Sequence, residues 1–154
     1  IEAGRKLKRC GILCSATLIS GLGGRQRLRE HAIASGFPDQ RDQAGLCSDS
    51  DIDDRSTGTG YSKIVSGELE LLNPEDVVEE MKLFLQNVDS EGTVFRSNHA
   101  SNYVILKGTL NEDIPSMLAY LRQVEEQGKY REERWRRFKI KALTRMLADF
   151  AAGV

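Results

Sequence analysis

Five stretches of this 154-residue chain carry side chains able to do chemistry. Cys10-Gly-Ile-Leu-Cys14 has the C-x3-C spacing that opens a cysteine-ligated iron–sulfur motif, but Thr17 stands where the third cysteine of C-x3-C-x2-C belongs. Two thiolates cannot hold a cubane cluster, and free cysteine behaves mainly as a small hydrophobe, so both read as buried structural thiols. Gly21-Leu-Gly23-Gly24 follows an apolar run and invites a phosphate-binding reading at a helix start. A dinucleotide G-x-G-x-x-G would need glycine at 26, which is Gln26. What is left is a ligand-facing turn at the carboxyl end of a strand, or a tight turn alone. Asp49-Ser-Asp51-Ile-Asp53 imitates the start of a calcium loop, yet its sixth position is Asp54 and its twelfth Gly60, so the glycine and the bidentate glutamate are both missing. No metal site is expected.

The richest stretch runs from Phe95 to Tyr103 and holds Asn98, His99, Ser101 and Asn102 between two apolar segments. Amide, imidazole and hydroxyl groups donate and accept, which suits a polar substrate or a structural polar network equally well. The fifth stretch is basic: Lys129, Arg131, Arg134, Arg136, Arg137, Lys139, Lys141 and Arg145 face only Glu132 and Glu133. It reads as the solvated side of an amphipathic helix over about 131–151, with Trp135, Phe138, Ala142, Met146 and Phe150 along the other side.

The elements that must position these groups follow from pattern. Ile12–Ile19 is a nearly continuous apolar run, predicting a strand buried on both faces of a parallel sheet. Ser20–Gly24 supplies a sharp turn, and Arg25–Ser35 a short helix with Leu28, Ala32 and Ile33 on one side. Residues 36–60 lose both periods and are expected to be irregular, an improbable length for a compact domain. Asn73 predicts a helix N-cap, with Pro74 at the first position, Glu75 and Asp76 in the first turn, and an apolar stripe of Val77, Met81, Phe84, Leu85 and Val88. Short strands are expected at Thr93–Arg96 and Tyr103–Leu106, then a helix capped by Asn111 and carrying Ile114, Met117, Leu118, Leu121 and Val124. The chain thus divides into residues 1–35, 36–60, 61–128 and 129–154, an α/β protein with a helical end.

Charge sets limits on partners. With 22 Lys plus Arg against 23 Asp plus Glu, the whole chain offers no electrostatic case for nucleic acid or anionic membrane, leaving the basic helix alone for RNA or an acidic partner. Apolar runs fall short of the roughly 18 residues that span a bilayer. Three cysteines, an odd number with no secretory signal, fit a reducing cytoplasm. Ile1–Arg9 reads as a helix entered part-way, as in a fragment.

The string VFRSNHASNYVILKGTL, residues 94–110, resembles the C-terminal region of bacterial radical S-adenosylmethionine proteins, in which an FRSNHASNYLPLKGTL-like string recurs. Residues 2–32, with GLGG-x-x-x-x-REHA, and residues 61–88 are similar to the same family. The resemblance implies the C-terminal part of a partial (β/α) barrel of TIM type with a helical extension. It implies a parent enzyme in which S-adenosylmethionine, cleaved at a [4Fe–4S] cluster, gives a 5′-deoxyadenosyl radical that attacks an unknown substrate. Laid on the family's G-x-I-x-G-x-x-E pattern, Ile19 and Gly21 match, whereas Thr17 and Gly24 do not; Ile19, Gly21 and Gly23 become the expected cofactor contacts. The loop of Asn98, His99, Ser101 and Asn102 becomes the expected substrate side. The cluster ligands are absent from this chain, so it holds no catalytic residue and is expected to be inactive by itself. Over residues 36–60 the likeness vanishes while the length is kept, as a shifted reading frame flanked by two compensating indels would leave it.

Overall fold

The computed structural model describes residues 6, 7, 9–36, 46–51, 66–99 and 101–131, with the backbone alone for 46–51. Four strands, β1 (Ser15–Ser20), β2 (Leu46–Asp51), β3 (Val94–Ser97) and β4 (Leu106–Thr109), form one sheet in sequence order. Among the described residues they are accompanied by α1 (Leu28–Gly36), entered through a 3-10 turn at Arg25–Arg27, α2 (Pro74–Asn87) and α3 (Ile114–Gln127), with residues 6, 7 and 9 helical ahead of β1. The pairs β1–β2 and β2–β3 are parallel, with α1 and α2 in the two intervening connections, while β4 returns antiparallel along β3. The chain is α/β, as expected.

All three helices pack in a row, α1 on α2 and α2 on α3, so that one face of the sheet is covered. Burial alternates accordingly: in β3, Phe95 and Ser97 are buried while Val94 and Arg96 are exposed, the period of two that a half-covered sheet imposes. Phe95 lies at the centre, fully buried, its ring centroid 5.6 Å from that of Phe84 on α2. Leu85, Leu110, Leu121 and Val78 complete the most deeply buried set. Among the described residues no helix is long and apolar enough to cross a membrane.

Helix α2 forms where its caps dictate. Asn73 Oδ1 accepts from Asp76 N at 2.7 Å and Asp76 Oδ2 accepts from Asn73 N at 3.3 Å, a reciprocal capping box ahead of Pro74. Four expectations need correction. The first strand begins at Ser15, leaving Ile12 and Leu13 53% and 90% exposed ahead of it, and Thr17 and Ile19 within it are exposed as well, so it is not buried on both faces. Residues 46–51, assigned to irregular structure by composition, pair on both edges through their backbone. The strand expected at Tyr103–Leu106 lies instead at Leu106–Thr109, with Tyr103 and Val104 buried in the loop before it. Asp113, not Asn111, precedes α3; Asn111 takes a left-handed conformation, its Oδ1 accepting from Ser90 N and its amide donating to Asp89. The helix expected over 131–151 lies outside the described residues beyond Arg131, as do Asp53, Asp54 and Gly60 of the calcium-like stretch.

Truncating Phe95→Ala removes the ring that joins sheet to α2 and is expected to cost about 3–5 kcal/mol in urea unfolding. Stability is also pH-dependent at the alkaline end. Burial by itself would lower the Lys82 pKa, but the carboxylates of Glu79 and Glu125, 2.8 and 3.0 Å from its ammonium, outweigh burial and hold it above the usual lysine value. Burial, then the charges of Glu75 and Glu125, raise the Tyr130 phenol. Both groups bind their proton more tightly folded than unfolded. Their contribution is therefore complete below the unfolded values, about 10, and is lost as pH rises through the folded ones. Tm should be flat up to about pH 9.5 and fall above it, with Lys82→Met making that fall shallower.

Candidate functional site

Because β1, β2 and β3 are parallel, the turn after β1 and the loop after β3 emerge at the same sheet edge, two strand spacings or about 10 Å apart. This is the edge at which α/β sheets gather ligands. The two groups of residues singled out by sequence, Ile19, Gly21 and Gly23 on one side and Asn98, His99, Ser101 and Asn102 on the other, therefore share an edge.

The turn is held by a carboxylate that the sequence reading missed. Glu80, on the buried side of α2 and only 4% exposed, takes the Ser20 hydroxyl and the Gly21 N–H on Oε2, the latter at 2.8 Å. Its Oε1 lies 2.8 Å from His31 Nδ1 on α1. One side chain thus ties the end of β1 to both neighbouring helices. A buried carboxylate without donors would be costly, and here three donors satisfy it. The signal was present in the sequence: Glu80 stands three residues after Val77 and four before Phe84, inside the apolar stripe where a lone acid requires partners.

Gly21 and Gly23 serve this arrangement. Gly21 has φ +83°, and its N–H is spent on Glu80. A Cβ on Gly23 would stand 3.0 Å from Arg27 O and from His31 Cβ, so a side chain there would force the start of α1 to give by a few tenths of an ångström. Ile19, one residue before Ser20 on β1, is 41% exposed. Beside the Glu80 cluster is a cleft of about 30 Å3 between β1, α1 and α2. Its walls are mainly apolar, from Leu18, Ala32, Met81, Phe84 and Phe95, interrupted by Ser20, His31, Ser35 and Glu80.

No family model, curated protein or solved structure matches the chain. Its chemistry must be argued from the residues.

The Asn98–Asn102 loop divides into an outer and an inner part. Asn98 and His99 are exposed, whereas Ser101 and Asn102 are buried. Asn102 Nδ2 donates to Ser97 Oγ at 2.5 Å, and Ser97 Oγ donates onward to Val104 O at 3.3 Å, fastening the loop to the last residue of β3. His99 Nδ1 accepts from Ser101 N at 3.2 Å, which puts the ring hydrogen of the neutral form on Nε2. Arg131 closes the loop from outside, its guanidinium donating to His99 O at 2.8 Å and its N–H to Tyr103 O at 2.8 Å. Asn102 and Ser101 hold the loop's shape, and Asn98 and His99 are what it presents.

The two described cysteines are not buried thiols: Cys10 is exposed and Cys14 half-buried, because the turn that carries them runs ahead of the sheet rather than into it. Among the described residues no group of three or more His, Cys, Asp or Glu side chains is placed to hold a metal ion. Replacing Asn102 by Ala should cost about 1–3 kcal/mol in denaturant unfolding, since it strips Ser97 of a buried partner. Asn98→Ala, on the exposed outer part, should stay within about 0.5 kcal/mol of the parent.

Proposed function

We propose that the chain is the C-terminal part of a radical S-adenosylmethionine enzyme, a section of (β/α) barrel wall with a helical extension, supplying the adenosyl-facing and substrate-facing edge rather than the radical-generating one. The observation that carries this reading is the meeting, at one edge of a parallel sheet, of the two stretches that resemble the family, residues 2–32 and 94–110. Parallel strands with helices on one face and an uncovered face opposite support a barrel-wall origin, and the antiparallel β4 belongs to the extension.

The residues present do not fit the iron–sulfur cluster. Cys10 and Cys14 offer two thiolates, Thr17 stands in the third place, and no step of radical chemistry is assigned to this chain. The adenosyl side fits better. Ile19 offers apolar surface for an adenine ring, and the turn at Gly21 and Gly23 allows close approach, although the Gly21 N–H is already taken by Glu80. Asn98 and His99 would face the substrate, on a loop shaped by Ser101 and Asn102.

The coding DNA tests the reading. Upstream of the Ile1 codon an in-frame C-x3-C-x2-C is expected, and across residues 36–60 an alternative frame should encode an apolar strand ahead of Tyr61. The longer product, reconstituted anaerobically with iron and sulfide, should release 5′-deoxyadenosine when reduced, while the 154-residue chain releases none. A start codon immediately before Ile1 would sink the proposal.

A further inference from the structure

The cleft beside Glu80 contains an unused base. Glu80 Oε2 already accepts from the Ser20 hydroxyl and the Gly21 N–H, which fixes the carboxylate in orientation, so the contact at its other oxygen is assigned to a hydrogen on His31 Nδ1. The lone pair of the neutral ring is then on Nε2. That nitrogen has no partner among the described residues, and His31 is one-quarter exposed on the cleft wall. His99 is held the opposite way round, with its Nδ1 lone pair already engaged by Ser101 N. The chain has two histidines, and these contacts assign them opposite tautomers.

Ser35 completes the arrangement. It stands four residues after His31 on α1, on the same side of the helix, and lines the same cleft with a hydroxyl free to turn. An acceptor nitrogen and a hydroxyl donor on one face of α1 call for a ligand group that donates to the first and accepts from the second, and a hydroxyl does both through a single oxygen. Ser20 and Glu80 are bonded to each other and the rest of the wall is apolar, and about 30 Å3 admits a hydroxyl with its first carbon while the rest of the ligand lies across the mouth. We propose that this cleft is a binding site for the hydroxyl end of a small alcohol or sugar, with His31, oriented by Glu80, as its proton acceptor and Ser35 as its donor. The proposal stands on the cleft alone and does not depend on the radical-enzyme reading.

Long-range 1H–15N spectra of the chain labelled with 15N-histidine read both tautomers without any substitution. The expected pattern is a hydrogen on Nδ1 of His31 and on Nε2 of His99. Titration with butan-1-ol should shift His31 Nε2 and the Ala32 methyl saturably, and its isomer diethyl ether, which accepts but cannot donate, should not. Ser35→Ala should weaken the alcohol about two- to tenfold, the worth of one neutral hydrogen bond. Glu80→Gln should abolish the Nδ1 preference. A hydrogen on Nε2 of His31, equal shifts from the two isomers, or no shift from either would overturn the proposal.

Discussion

The structure depends on one buried carboxylate. Glu80 sits where the helix layer meets the end of the first parallel strand, and it accepts from a hydroxyl, a backbone N–H and an imidazole at once. Each donor comes from a different local structure: the last residue of β1, the first of the following turn, and the middle of α1. The apolar contacts around it are numerous but non-directional, and they would tolerate some sliding of α1 and α2 over the sheet. Three hydrogen bonds to one charged group do not, because any slide leaves a buried charge short of a donor. Glu80 therefore sets the register of helices against sheet, and the apolar core fills the space so defined.

Legibility in the sequence followed the strength of local signals. Helix α2 was legible because Asn73, Pro74 and Asp76 spell a cap that needs no tertiary help, and β3 because Val94 and Phe95 follow a glycine turn. The boundary of β1 was misread because Ile12 and Leu13 extend its apolar run without sharing its sheet, and two-sided burial was inferred from a run that is covered on one side only. β2 was illegible: Leu-Cys-Ser-Asp-Ser-Asp has neither the alternation nor the branched side chains of a strand, and what recruits it is the pair of backbone edges offered by β1 and β3. Asn111 misled for a different reason, since the residue type that caps helices also tolerates the left-handed turn it occupies.

For the site, the sequence pointed to the right edge and to part of the cast. Gly21 and Gly23 were found as glycines in a turn, but their reasons are the Glu80 bond and the closeness of α1. The polar loop was legible as a whole, and only the fold separates Ser101 and Asn102, which hold it, from Asn98 and His99, which it shows to solvent. His31 and Glu80 lie on two helices separated by the longest unpatterned stretch in the chain, and no local spacing rule joins residues so far apart.

The division between parallel and antiparallel halves has a consequence for the order in which the molecule comes together. β3 and β4 are joined by one short loop and α3 follows at once, so their contacts close over few residues and lose little chain entropy. Ser15 must find Leu46, and Leu46 must find Val94, across intervals several times longer, with a polar strand in between. The parallel half is accordingly the later to assemble, because its pairings wait on the longer closures, while the hairpin and α3 can form before it. The cleft and the turn of β1 belong to that later-forming half, so Glu80 finds its partners only after the longest closures in the chain are made.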